Sequence, residues 1–171
     1  MTNAHSHQTP NAGFTLVEVL VAMLVISIGL LVLATLQLNS LRNNASAMER
    51  SQATMYAYDI IDRMRANKDA AVAGNYTTSL GTAPGNKTCT SSACNAADLA
   101  SYDVALWKCS IGKWNDNANC TAIGITGPLP DGDGSVSLNG TTVTVTVQWS
   151  EKRSESTAAA KLTSLSVSTQ L

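Results

Sequence analysis

An apolar run near the N-terminus constrains the fold of this chain more than any other stretch. Residues 14–36 contain no proline, and their one charged residue is Glu18. At a rise of about 1.5 Å per residue, a helix of this length reaches about 35 Å, enough to cross the hydrocarbon core of a bilayer. A carboxylate in such a span costs about 2.5–3.5 kcal/mol at mid-bilayer and less near the interface. We therefore expect a membrane helix whose Glu18 has a partner.

The remainder of the chain is weakly charged and rich in small polar residues. Charged residues make up 13% of the 171 residues and the net charge is −1, so no basic surface indicates a nucleic-acid partner. This length fits one domain in addition to the membrane helix.

All four cysteines lie in the second half of the chain. An even number of cysteines in a chain with an export-type segment predicts disulfides in an oxidising compartment. Reduced thiols in a cytosolic protein are the alternative. The spacings do not fit a zinc ribbon and no histidine lies nearby, so we expect no metal and no cofactor. The cysteines are Cys89, Cys94, Cys109 and Cys120.

The residues around Gly13 have an order unlike that of a conventional signal peptide. In such a peptide the small-residue cleavage site follows the apolar core, whereas here Ala12 and Gly13 precede it. The following sequence resembles the class III signal and N-terminal helix of type IV pilins and pseudopilins: Gly13-Phe14-Thr15-Leu16-Val17-Glu18-Val19-Leu20-Val21-Ala22.

This resemblance implies three events at named residues. A prepilin peptidase would cleave between Gly13 and Phe14, and Phe14 would then be N-methylated. Glu18 would serve assembly by pairing with the Phe amine of a neighbouring subunit. The physical logic agrees, because a buried carboxylate is tolerated when a cation neutralises it.

The resemblance also implies a division of the chain and a location. We expect the inner membrane with the C-terminal domain in the periplasm, and later the pilus at the cell surface. The positive-inside rule alone favours the opposite orientation, because the leader has no Lys or Arg; the cysteines and the motif favour export. The expected parts are a leader (1–13), a transmembrane helix (14–36), its amphipathic continuation (37–68) and an exported globular domain (69–171).

The long helix is expected to continue to about Lys68, since residues 37–68 contain neither Gly nor Pro. Its apolar stripe predicts a face covered by the globular domain, and a coiled-coil partner is the alternative. The stripe consists of Leu38, Leu41, Ala45, Met48, Met55, Ile60, Ile61 and Met64.

A second helix is predicted over residues 96–108, after a loop over residues 70–94. Asn95 is its expected N-cap and Asp98 suits the helix dipole. The residues expected to face the core are Leu99, Tyr102, Leu106 and Val104.

This helix limits the disulfide pairing. Cys94 and Cys109 would flank it about 22 Å apart, whereas bridged Cα atoms lie within about 7 Å. Two pairings remain: Cys89 with Cys94 and Cys109 with Cys120, or the crossed alternative. We favour the first, because it needs only local closure.

The C-terminal part predicts a small antiparallel sheet. Residues 121–134 are expected to form a turn-rich linker, and residues 131–134 are interpreted as a plain turn rather than a calcium loop. Asn139 and Gly140 predict a hairpin turn before an alternating strand. A polar link over residues 150–160 precedes a last strand whose apolar side includes Leu165, Val167 and Leu171. The fold class is therefore α+β and pilin-like, with the long helix packed on the sheet.

Three functions are compatible with the sequence, and the favoured one is structural. Residues 59–68 and 96–107 resemble the PilV family of minor pilins (type IV pilus modification protein), which implies a role in pilus assembly, adhesion or twitching motility. A minor pseudopilin of a type II secretion system is the alternative, and a membrane-tethered binding or enzymatic domain unrelated to filaments is the third. The implied partners are other pilins and minor pilins through the N-terminal helix, the prepilin peptidase and the inner-membrane assembly platform. No enzyme is expected, since the chain beyond Gly13 has no histidine and no nucleophile motif.

Overall fold

The computed structural model describes residues 13–90, 93–151 and 161–171. The chain divides into two units, Met1–Asn43 and Asn44–Leu171. A long N-terminal helix, short helices and a three-stranded antiparallel sheet confirm the predicted α+β class. The helices are α1 (Leu16–Ala66), α2 (Lys68–Val72), α3 (Ala96–Ile111) and α4 (Ala118–Ile123), and the strands are β1 (Asp133–Asn139), β2 (Thr142–Glu151) and β3 (Lys161–Gln170).

The buried face of α1 begins later than the apolar stripe predicts. Met48 and Met55 were expected in the covered face but are 63% and 67% exposed. Met55 lies two positions from both Ala53 and Ala57, which is about 200° around a helix, so these alanines and Met55 face opposite ways. The small alanines allow close approach to the core. The buried residues of α1 are Ala53, Ala57, Ile60, Ile61 and Met64.

The predicted helix end was two residues too late. α1 ends at Ala66, and Asn67 leaves the helical conformation with φ −123° and ψ 54° before α2 begins. The Asn67 side chain donates to the carbonyl of Ala96 at 2.7 Å and to the hydroxyl of Tyr76 at 3.3 Å. These contacts outside the helix accompany the break. Part of the predicted loop over residues 70–94 is therefore helical.

α3 has the predicted start and a different buried face. The Asn95 side chain accepts from the N–H of Asp98 at 2.8 Å, as expected of an N-cap. The helix continues to Ile111, three residues past the predicted end. Leu99 is 37% exposed, and the other three residues expected in the core are half-buried. The core face contains Ala100, Trp107 and Ile111, because the large Trp107 side chain is fully buried and sets the rotation of the helix.

The segment predicted as a linker over residues 121–134 contains secondary structure at both ends. α4 extends to Ile123, and β1 begins at Asp133 inside the predicted turn. Asp131 supplies the turn itself, with a φ of +50°. The Cys109–Cys120 disulfide at its start and the buried partners of Asp133 at its end hold this segment in place.

The sheet has the order β1-β2-β3. Asn139 pairs with Thr142, so the two-residue hairpin loop consists of Gly140 and Thr141, one residue later than predicted. Gly140 adopts a φ of +61°, which glycine reaches without strain. β2 buries its apolar alternate residues as predicted, and the apolar side of β3 packs against the same core. The predicted polar link started too early, because β2 includes Ser150 and Glu151; residues 152–160 lie outside the described residues.

Candidate functional site

Gly13 and Phe14 directly precede the first turn of α1. Thr15 caps this helix, because its hydroxyl and its carbonyl accept from the N–H of Glu18 at 3.3 and 3.1 Å. Glu18 is thus the third helical residue, where a negative charge is favourable beside the partial positive charge of the helix N-terminus. The three residues singled out in the sequence lie together at the start of the helix.

These residues are exposed. Phe14 is 84% exposed, and the Glu18 carboxylate makes no hydrogen bond or ion pair with any residue of the described ranges. An ionised carboxylate entering an apolar environment requires a counter-charge. Within residues 13–90, 93–151 and 161–171 no such counter-charge contacts Glu18.

The first unit presents its apolar side chains to the outside. Every described residue up to Asn43 is exposed. α1 includes an 18-residue window of mean hydropathy 2.9, so by length and composition it is capable of crossing a bilayer. Such a surface needs lipid or the apolar surfaces of other chains around it.

A buried ion pair organises the second unit. The Lys108 ammonium donates to the carbonyls of Ser79 and Thr82 at 2.8 and 2.7 Å and to Asp133 Oδ1 at 3.1 Å. The side chains of Lys108 and Asp133 are 1% and 3% exposed. Burial lowers the pKa of Lys108, and the neighbouring Asp133 offsets this only in part. All three ammonium donors are used, so the lysine links α3 to the loop and to β1.

Asp133 collects donors from several parts of the domain. Its carboxylate accepts from the N–H of Gly81 at 2.6 Å, the N–H of Gly134 at 2.8 Å and Trp114 Nε1 at 3.2 Å. Burial alone would raise the pKa of Asp133, but the Gly81 hydrogen bond and the Lys108 charge outweigh it, so the pKa lies below its usual value. The interpretation of residues 131–134 as a plain turn was therefore incomplete.

A second polar cluster joins α1 to α3. Arg63 Nη1 lies 3.1 Å from Asp103 Oδ1, and Arg63 Nε lies 3.2 Å from Asp59. The Tyr76 hydroxyl donates to Asp103 Oδ2 at 2.7 Å. Burial, followed by the hydrogen bond to Asp103, raises the pKa of Tyr76 to about 12. Arg63 thus has a packing role within a segment that the sequence presents as a solvated helix end.

Both disulfides join cysteines that are near in sequence. Cys89 bonds to Cys94 with a Cα–Cα distance of 5.6 Å, and Cys109 bonds to Cys120 with a distance of 5.3 Å. The second bond lies in the core and ties α3 to α4. Across the described residues, no group of three His, Cys, Asp or Glu side chains is arranged to hold a metal ion.

A small cavity of about 70 Å³ lies between the loop of residues 85–88, α3 and α4. Two of the polar side chains on its rim have partners within the chain. Lys87 Nζ contacts Asp98 at 2.7 Å, and Asn119 Nδ2 donates to the carbonyl of Pro84 at 2.9 Å. These two side chains are therefore already engaged in contacts within the chain.

Comparison with known families addresses both parts of the chain. Residues 9–34 match the prokaryotic N-terminal methylation motif, and residues 35–105 match the family described as type IV pilin Tt1218. Both matches support a type IV pilin. No curated protein and no solved structure matches the chain.

In a type IV pilin the arrangement has a structural rather than a catalytic purpose. The methylation-motif match contains Gly13, Phe14 and Glu18, which the structure places at the start of α1. The roles of these three residues stay predictions from the sequence, and nothing in the sequence indicated the buried pair of Lys108 and Asp133. Asp103, Trp107 and Ile111 recur at helical spacing on α3 and are all buried, but the contacts of Trp107 with other elements decide that this face lies towards the core.

Proposed function

We propose that the chain is a minor pilin of a bacterial type IV pilus, of the PilV type. A prepilin peptidase removes residues 1–13, and Phe14 becomes the N-methylated first residue. The observation that carries this proposal is the methylation-motif match over residues 9–34, at the start of an exposed apolar helix with Glu18 in its first turn.

Glu18 is the assembly contact in this proposal. Its carboxylate has no partner among the described residues, and a neighbouring subunit brings an amine at Phe14 into the same apolar layer. Pairing neutralises two charges that would each be costly alone. The partners are therefore other pilins, which contact the exposed side chains of residues 14–36, together with the peptidase and the inner-membrane assembly platform.

The second unit is the exported part. Two disulfides suit an oxidising compartment, which supports a periplasmic location before incorporation into the pilus. A minor pseudopilin of a type II secretion system would share the same N-terminal segment. The match to a type IV pilin over residues 35–105 favours the pilus.

The test uses Glu18→Gln in cells that assemble pili. The amide keeps the shape of the side chain and removes its charge, so we expect normal cleavage and membrane insertion but at least a ten-fold loss from sheared pili. Glu49→Gln, on the same helix beyond the apolar run, is the matched control and should be incorporated normally. Normal incorporation of the Glu18 variant would contradict the assembly role. If the wild-type protein is absent from sheared pili, and deletion of its gene impairs secretion, the pseudopilin alternative is favoured.

A further inference from the structure

β3 is an edge strand, and the two edges of the sheet differ. At the β1 edge, Thr78 exchanges both backbone hydrogen bonds with Val136, at 3.0 and 2.9 Å. At the β3 edge, no backbone segment within residues 13–90, 93–151 or 161–171 pairs with the strand on its outer side. The β1 edge is thus bridged at Val136, whereas the β3 edge has backbone groups without a backbone partner among the described residues.

The strand register identifies these groups. The N–H of Leu171 donates to the carbonyl of Thr141 at 3.1 Å, and hydrogen-bonded pairs alternate along an antiparallel ladder. Counting back from Leu171, every second residue bonds to β2 and the residues between direct N–H and C=O outward. The same alternation places the backbone of Val136 on the outer side of β1, where Thr78 binds it. The outward residues of β3 are Leu162, Ser164, Ser166, Ser168 and Gln170.

Apart from Lys161 at its first position, β3 has none of the features that usually protect an edge strand. Native edges are usually blunted by Lys, Pro, a charged side chain or a bulge. Residues 162–171 contain no charged residue and no Pro, and the register with β2 continues through ten pairs without a bulge. The serines at 164, 166 and 168 are exposed and too small to cover the backbone beside them.

The sequence of the strand indicates the occupant. It reads nearly the same in both directions about Ser166. A second β3 running antiparallel about a two-fold axis at Ser166 places Ser164 opposite Ser168 and Leu165 opposite Val167. Serines then meet serines on one face, and Leu165 meets Val167 on the other face, where Thr163 also meets Thr169. The sequence in question is Thr163-Ser164-Leu165-Ser166-Val167-Ser168-Thr169.

We propose that β3 pairs with β3 of a second copy of this chain, which joins the two sheets into one of six strands. Five facing residue pairs would form about ten backbone hydrogen bonds. The hydroxyl contacts Thr144–Ser168 at 2.9 Å and Thr146–Ser166 at 2.8 Å would continue across the new interface. Each bond replaces one with water and contributes little net free energy, so the pairing is reversible and needs a high local concentration. It does not depend on the proposed function of the N-terminal segment.

The first experiment is thiol cross-linking of the full-length protein in detergent. All four native cysteines are in disulfides, so a new cysteine is the only free thiol. With a short bifunctional maleimide, we expect Ser166→Cys to form covalent dimers at least ten-fold more efficiently than Ser137→Cys. Ser137 is the matched control, since it is exposed on the same face of the sheet but lies in β1. Equal yields, or no dimer with Ser166→Cys, would overturn the proposal.

The second experiment separates backbone pairing from side-chain contact. In the Ser166→Cys background, Ser164→Pro removes an outward N–H without touching the bonds to β2, and edge strands tolerate Pro in this position. We expect the cross-link to be lost with Ser164→Pro and kept with Ser164→Ala, and circular dichroism checks that both variants are folded. If the Pro variant fails to fold, sedimentation of Ser166→Lys replaces it; two facing lysines should keep the chain monomeric at concentrations where the parent dimerises. A cross-link that survives Pro, or a dimer that survives Lys, overturns the proposal.

Discussion

At the scale of single residues, two lysines near one carboxylate have different consequences. Lys108 and Lys113 lie 3.1 and 3.8 Å from oxygens of Asp133, but their side chains are 1% and 42% exposed. Water screens the outer charge, whereas the inner ammonium is the buried counter-charge of the carboxylate. The two ion pairs therefore contribute differently to the free energy of unfolding, although both lysines lie within 4 Å of the carboxylate.

This difference gives a prediction for unfolding. Lys108→Met keeps most of the volume but leaves the carboxylate of Asp133 buried without its inner partner, so we expect the free energy of unfolding to fall by about 3–5 kcal/mol. Lys113→Met is the matched control and should cost less than about 1 kcal/mol. Urea unfolding of the full-length protein in detergent measures both. Equal losses would contradict the assignment of Lys108 as the structural partner.

Residues such as these could not be predicted from the sequence. Lys108 and Asp133 are 25 positions apart, and nothing local marks either as buried. Their contact depends on the rotation of α3 and on the loop whose carbonyls bind the ammonium. Gly13, Phe14 and Glu18 could be singled out because their pattern is local, and the roles predicted for them rest on its resemblance to the N-terminal segment of type IV pilins.

At the scale of elements, Trp107 of α3 packs closely against Gly134 of β1. Gly134 leaves room for the Trp107 ring, because a Cβ at this position would lie 2.2 Å from Cη2 of the ring, closer than van der Waals contact allows. Trp107 Nε1 donates to the carbonyl of Tyr56 at 2.8 Å, so the ring has a hydrogen bond to lose if it moves. α3, β1 and α1 thus meet at the side chain of Trp107.

The corresponding prediction concerns Gly134→Ala. The added methyl group forces the Trp107 ring or the backbone to shift, and we expect a loss of about 1–3 kcal/mol in the free energy of unfolding. Gly85→Ala serves as the control, because a Cβ at Gly85 meets open space and should change stability little. Thermal unfolding followed by circular dichroism compares the two. A Gly134 variant as stable as the Gly85 variant would show that the contact is looser than described.

Element boundaries show where sequence patterns are informative. The cap of α3 was predictable, since Asn95 and Asp98 act within one turn. The buried face of the same helix was not, because Trp107 settles it through contacts with other elements. On α1, the large Met55 suggested burial, whereas the small Ala57 has it. Hydrophobicity indicated a helix, and size complementarity with the sheet decided its orientation.

At the scale of the whole molecule, the chain combines two parts with different requirements. The unit up to Asn43 presents apolar side chains and one carboxylate to its surroundings, whereas the unit from Asn44 encloses its own core and both disulfides. The methylation motif lies in the first unit, and the pilin match extends from there into the second. This division fits a subunit that is held and assembled by one part and displayed by the other.

Mass spectrometry of the N-terminal peptide of the mature protein tests this account most directly. We expect protein from membranes of cells with an active prepilin peptidase to begin at Phe14 with a methylated amine, which leaves 158 residues (171 − 13). Correct processing of another pilin in the same cells is the control for peptidase activity. A chain that retains residues 1–13 under those conditions would contradict the central claim.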